Sequence, residues 1–309
     1  MKVSIIGAGM VGSAAAFAMV LRRLANEIVL VDVNEALALA QAEDILHATP
    51  LSSPVRVSSG DYTAIVGSSV VILACGVSQR PGESRLQLLQ RNEAIFAEVV
   101  VRVAANAPDA LILVASNPVD IMTQFVTELG SFPPQRVIGS GTILDTARFR
   151  ALLGEAFGIS PQSVHAYVIG EHGDSEVLVW SGARIGGMPL AEFARRHGKE
   201  LTAELKDTID ERVRRAAYRI IQGKGSTYYG IGAGLARIIQ AVRNDERAVF
   251  TLSNSDVPGF AHVSVSLPRI IGAEGIRETL TPMLNDEEKE AYTRSVQVLQ
   301  RARTTNQGV

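Results

Sequence analysis

The chain has 309 residues, enough for one large or two moderate domains with a sizeable core and no need of disulfide or metal staples. Thirty basic against thirty-two acidic side chains leave a formal charge of −2, which gives nucleic acid or an anionic membrane no electrostatic footprint. With 47% hydrophobic and 20% charged residues the chain is not a disordered one, and its single cysteine, Cys75, excludes an internal disulfide.

Met1-Lys2-Val3-Ser4-Ile5-Ile6 runs straight into a glycine turn rather than a cleavable signal. No apolar stretch approaches the ~20 residues that span a bilayer. A cytoplasmic protein is therefore expected. Short apolar runs at 3–6, 28–31, 70–74, 111–115 and 136–138 alternate with helical stretches. That alternation predicts repeated βαβ units and a parallel sheet covered on both faces. Cys75 adjoins the third of these runs and reads as a buried strand thiol.

Gly7-Ala8-Gly9-Met10-Val11-Gly12 follows the first run and opens a helix, where unpaired N–H groups can meet a dinucleotide pyrophosphate. Gly7 serves the tight turn, Gly9 the approach of the pyrophosphate and Gly12 the packing of helix on strand. Asp32 ends the second run, twenty residues after Gly12, where a carboxylate accepts from the adenosine ribose hydroxyls. It would repel a 2′-phosphate, and no Arg follows in Val33-Asn34-Glu35, so NAD is the expected cofactor rather than NADP.

The stretch from Cys75 to Arg85 is a polar loop with Gly76, Gly82 and Pro81, placed to close over a ligand at the carboxyl edge of the sheet. Ser116-Asn117-Pro118-Val119-Asp120 follows the fourth run. Asn117 could contact nicotinamide or substrate, or could cap a helix that Pro118 opens. Farther on, Asp145 and Arg148 stand three apart on one helix face, as a surface ion pair or as site residues, while Arg150 points about 200° away from Arg148. His172, in Gly170-Glu171-His172-Gly173-Asp174, has glycines on both sides that admit a ligand, and a carboxylate such as Asp145 would fix its tautomer.

The second half changes pattern. Residues 164–169 and 262–267 read as strands, and 204–222, 228–243 and 286–303 as amphipathic helices. Ile209, Val213, Ala216, Ala217 and Ile220 are expected in the core, with a helix stop at Gly223-Lys224-Gly225. The fold class expected is α/β: a Rossmann doubly wound parallel sheet over 1–144, then a C-terminal α+β substrate domain over 145–309.

Taken in order, the glycine loop, Val31-Asp32, Gln79-Arg80-Pro81-Gly82-Glu83-Ser84-Arg85, Ser116-Asn117-Pro118-Val119-Asp120, Asp145-Thr146-Ala147-Arg148 and Gly170-Glu171-His172-Gly173-Asp174-Ser175-Glu176 closely resemble one family. It is the L-lactate/malate dehydrogenases, and within it the bacterial L-lactate dehydrogenases. The resemblance implies that His172 exchanges the proton, Asp145 orients it, Arg148 clamps the substrate carboxylate and Arg85 polarises the carbonyl. It also implies Val11, Tyr62, Gly76, Val77, Asn117 and Ser140 near NAD, Thr227 at the substrate, and no metal. Gln79 stands where malate enzymes carry Arg, and a neutral side chain leaves the second carboxylate of oxaloacetate unbalanced, so pyruvate and L-lactate fit better. In resembling bacterial enzymes the positions of Arg150 and His165 bind fructose 1,6-bisphosphate across a subunit interface of a homotetramer. Seven residues separate His165 from His172, an odd number that puts them on opposite strand faces.

Overall fold

The structure, a computed structural model, describes residues 1–77 and 85–307, without the side chains of residues 85–86 and 304–307. In the first half β1 Lys2–Ile6, β2 Glu27–Val31, β3 Arg56–Ser59, β4 Val70–Leu73, β5 Leu111–Val114 and β6 Val137–Gly139 run parallel in the order β3-β2-β1-β4-β5-β6. This is the doubly wound order expected from the glycine loop. The central strands are apolar almost throughout because helices cover both of their faces. Val3, Ile5, Ile28, Leu30, Val70, Ile72, Leu111 and Leu113 enter one core, and Ile6, Val29, Val31, Val71, Leu73, Ile112 and Val114 the other. Burying each such side chain contributes about 1.5–3 kcal/mol. β3 went unpredicted because it is an edge strand pairing only with β2, and of its residues only Val57 is buried.

Helices α1 Met10–Leu21, α2 Glu35–His47, α3 Arg85–Asn106 and α4 Val119–Glu128 join these strands. The second half supplies α5 Ile143–Phe157, the short strands β7 Val164–His165, β8 Val168–Ile169, β9 Val177–Leu178, β10 Arg184–Ile185 and β11 Met188–Pro189, then α6 Leu190–Arg196, α7 Ala203–Arg214, α8 Ala216–Lys224 and α9 Tyr229–Arg243. Three more strands, β12 Ala248–Asn254, β13 Val265–Gly272 and β14 Gly275–Thr279, precede α10 Asp286–Gln307.

The second half departs from the expected elements at the runs 164–169 and 204–222. β12, β13 and β14 extend the parallel sheet by successive antiparallel pairings, β12 joining β6 where Ser253 pairs with Gly139, so the two halves share one nine-stranded sheet. The run 164–169 splits between two sheets: β7 pairs with β10, and β8 with β9. The run 204–222 breaks at Arg215, which closes α7 and opens α8. Ile209 and Val213 are buried as expected, but Ala216 and Ala217 are only partly so and Ile220 is 37% exposed. α8 ends on Gly225 at φ +86°, the left-handed cap that glycine tolerates.

The second half also completes the core under the glycine loop. Leu235, Ala236, Ile238 and Ile239 of α9 join the cluster of β1 and α1, and Gly232 lies so close to α1 that a Cβ there would stand 3.0 Å from Ala14. Arg269 of β13 is fully buried and donates to the carbonyls of Leu252 (2.9 Å), Asn254 (3.2 Å) and Val265 (3.2 Å) and to the Thr279 hydroxyl. A buried guanidinium is tolerated only with its donors so satisfied.

Candidate active site

The glycine loop is shaped as a cradle. Gly7, at φ +105°, donates its N–H to the Val31 carbonyl at 2.8 Å, and a Cβ on it would lie 2.6 Å from the Ala74 carbonyl. A Cβ on Gly12 would fall on the Gly7 carbonyl oxygen, whereas one on Gly9 meets nothing within 4 Å. Gly9 is the N-cap of α1 and no side chain caps it, so the start of α1 faces open space beside Val11. Asp32 is fixed by Ala8 N–H on Oδ2 (2.7 Å) and Asn34 N–H on Oδ1 (2.9 Å), directly across the loop. Open space, an uncapped helix start and a held carboxylate fit a dinucleotide with free ribose hydroxyls.

The next loops meet at the same edge. Ser116 Oγ donates to the Cys75 and Leu73 carbonyls, tying the ends of β4 and β5 together. Gly76 is at φ +146°, and Val77 N–H donates to Asn92 Oδ1 at 2.9 Å. Cys75 is not a buried strand thiol: it lies past β4 at intermediate exposure, although burial still pushes its thiol up to about 12. Asn117 is exposed and does not cap α4, since Pro118 takes the N-cap position and Val119 opens the helix. Tyr62 is half-buried under the Arg102 guanidinium, 5.3 Å from its ring centre, and burial raises its hydroxyl to about 12. Ser140 is buried just past β6, its N–H on the Val114 carbonyl at 2.8 Å. Gln79 lies outside the described residues, as does the side chain of Arg85, whose backbone opens α3.

His172 sits on the hairpin loop between β8 and β9, and three elements aim it. Asp120 of α4 accepts the His172 backbone N–H at 2.7 Å, and Ser295 of α10 accepts that of Glu171 at 2.8 Å. Thr142, the N-cap of α5, and Thr146 within it bond the backbone of Val168, with Val168 N–H 2.9 Å from Thr146 Oγ1. These hydroxyls place α5 against β8 and thereby bring Asp145 to the histidine. Asp145 Oδ2 is 2.6 Å from His172 Nδ1, and Arg148 Nη1 donates to Asp145 Oδ1 at 2.7 Å. Asp145 is buried and Arg148 nearly so, which rules out the surface ion pair. Nδ1, facing a carboxylate, carries a proton, and Nε2 is left to act.

Electrostatics follow from this packing. The Asp145 charge raises His172 to about 9 against the opposing effect of burial, with smaller help from the hydrogen bond, Asp120 and Glu176. Burial would raise Asp145, but the charges and hydrogen bonds of His172 and Arg148 outweigh it and hold the carboxyl below its ordinary range. Burial pushes Asp120 up to about 6 despite its hydrogen bonds. Asp120 and Glu176 stand inside the motifs that carry the family resemblance, which assigns neither a role; that place is their one signal in the sequence.

Two cavities flank α5. Leu144, Arg148, Ile220, Lys224 and Thr227 line one of about 540 Å³, which accounts for the exposure of Ile220. Arg150 and His165 line the other, of about 760 Å³, with Arg22, Gln162 and Arg237. Arg150 and Arg148 therefore serve different spaces, as helical geometry required.

Residues 1–139 match the model of the lactate/malate dehydrogenase NAD binding domain, and residues 142–307 that of the lactate/malate dehydrogenase alpha/beta C-terminal domain. The chain is 59% identical over 304 residues, 98% of each protein, to the L-lactate dehydrogenase of Thermus aquaticus. It is 50% identical over 299 residues, 97% of each, to that of Deinococcus radiodurans. The crystal structure of the minor L-lactate dehydrogenase of Enterococcus mundtii in ligands-bound form superposes with a TM-score of 0.94 at 38% identity, covering 98% of each chain. Fold and site define an NAD-dependent oxidoreductase. The chain belongs to the lactate/malate dehydrogenase family.

Proposed function

We propose that the protein catalyses the reversible, NADH-dependent reduction of pyruvate to L-lactate. The observation that carries this reading is the pairing of His172 with a buried Asp145 at 2.6 Å, on a family fold built around an NAD site. When bound at the cradle of Gly7, Gly9, Gly12 and Asp32, NADH supplies the hydride. Protonated His172 gives the proton at Nε2 to the carbonyl oxygen of pyruvate, and neutral His172 takes it back from the hydroxyl of lactate. Asp145 holds the ring in its tautomer and stabilises its charge. Arg148 offers a planar fork to the substrate carboxylate, with Thr227 and Asn117 beside the substrate, and Arg85 provides charge where negative charge develops on oxygen. Val11, Tyr62, Gly76, Val77, Asn117 and Ser140 line the cofactor. Neutral Gln79 favours pyruvate over oxaloacetate.

Arg150 and His165, lining one cavity, support a site for fructose 1,6-bisphosphate as activator, since Arg and protonated His both suit phosphate. The reading includes a homotetramer in the cytoplasm, a cofactor unit over 1–144 and a substrate unit over 145–309. No helix among the described residues is long and apolar enough to cross a membrane. His172→Asn tests the assignment: turnover should be lost with NADH binding kept, and retained turnover would remove the histidine from the mechanism.

A further inference from the structure

Glu176 is a buried carboxyl for which the proton transfer just described has no use. It ends the loop that carries His172, immediately before β9, with 3% of its surface exposed. Its backbone N–H donates to the Gly173 carbonyl at 3.1 Å, but its Oε1 is enclosed and has no hydrogen-bond partner among the described residues. An enclosed, unpartnered carboxyl oxygen is costly, and a sequence that keeps one beside ionisable groups places a field there. The charged groups that act on it come from three directions: Asp145 and Arg148 from α5, Arg214 from α7, and His172 from its own loop. Arg214 is itself held by Asp210 and by the Asp174 carbonyl, 2.9 Å away, so it does not neutralise Glu176 alone. Asp120 of α4 acts on the same histidine from the other side.

We propose that Glu176 is a positioning residue of the proton-transfer site, whose buried carboxyl sets through its charge the pH at which His172 gives up its proton. The proposal rests on the reading of His172 as the acid–base group. Burial, with repulsion from Asp145, pushes Glu176 up to about 8, so it ionises just below the range where His172 itself, near 9, would lose its proton. The sign follows directly. Each Glu176 that becomes a carboxylate strengthens the hold of His172 on its proton, and pyruvate reduction, which needs the imidazolium, extends to more alkaline pH.

The test is the pH profile of kcat/KM for pyruvate in the wild type and in Glu176→Gln, with Glu176→Met as a second variant of similar length without a polar end. Both variants are expected to move the alkaline limb about half to one unit toward neutral pH, a roughly three- to tenfold loss on that limb against acid pH. The limb for lactate oxidation should move the same way, whereas a merely structural lesion scales both profiles without displacing them. Limbs that superimpose on the wild type in a folded variant overturn the proposal. A wild-type profile with no alkaline limb overturns instead the assignment of His172, so the two failures are distinguishable.

Discussion

His172 Nδ1 stands 2.6 Å from Asp145 Oδ2, and the other oxygen of that carboxylate is occupied by Arg148 at 2.7 Å. One buried carboxylate thus links the proposed proton carrier to the cation proposed to hold the substrate. The Asp145 charge is the largest influence raising His172, to about 9, so the ring is protonated at neutral pH, the state that the proposed pyruvate reduction needs. Pyruvate kcat/KM should be level through neutral pH and fall as pH rises through about 9, while lactate oxidation gains over the same range. Asp145→Asn removes the attraction, moves that limb toward neutral pH and lowers kcat/KM at neutral pH by about 10²–10⁴. Stopped-flow NADH oxidation across a pH series checks both effects, and an unmoved limb would contradict the pairing.

The glycine loop separates binding from folding. On Gly9 a Cβ meets nothing within 4 Å, so Gly9→Ala should fold with an unchanged Tm and yet bind NADH at least about tenfold more weakly, near 1.4 kcal/mol. On Gly12 the same methyl collides with the Gly7 carbonyl and approaches Ile5 Cγ2 at 3.1 Å. Gly12→Ala should cost about 1–3 kcal/mol of stability, read as a lower Tm. Equal behaviour of the two variants, in calorimetry and in NADH fluorescence titration, would refute the distinction.

Arg150 carries the regulatory reading. It lines a cavity with His165, and among the described residues its one hydrogen bond, to the Gln162 carbonyl at 3.3 Å, leaves most of its guanidinium donors for phosphate. Fructose 1,6-bisphosphate should lower the apparent KM for pyruvate by about 5- to 150-fold in the wild type. Arg150→Gln should abolish most of that response and leave the effector-free kcat in place. An identical response in both proteins would move the site elsewhere.

Most of the first half was legible because a parallel sheet buried on both faces forces its strands into unbroken apolar runs, as in Val70-Val71-Ile72-Leu73. Motif order likewise points to Gly7, Asp32, Asp145, Arg148 and His172. What escaped depends on contacts distant in sequence. β12 is only part-buried over its first three residues, and it is a strand because β13 and β6 pair with it. The break at Arg215 interrupts a helical period that the apolar residues continue, and Ile220 looks like core by spacing until the cavity beside Arg148 is seen. Asp120 and Glu176 act through burial and through their neighbours on other elements, which no local pattern records.

Gln79 bears on the choice between the two halves of the family. It lies outside the described residues, and its bearing is one of charge: Gln79→Arg would balance the second carboxylate of oxaloacetate. The substitution should shift preference toward oxaloacetate at least about tenfold, or 1.4 kcal/mol of differential transition-state binding. Unchanged relative kcat/KM for the two oxo acids would count against Gln79 as the selector.

The most direct test of the whole account is NADH oxidation by the purified protein with pyruvate and with oxaloacetate, beside His172→Asn. The account requires that pyruvate be preferred and that the variant bind NADH without turning over. Preference for oxaloacetate would contradict the pyruvate reading, and absence of turnover with either acid would leave a protein that binds the dinucleotide without reducing a 2-oxo acid.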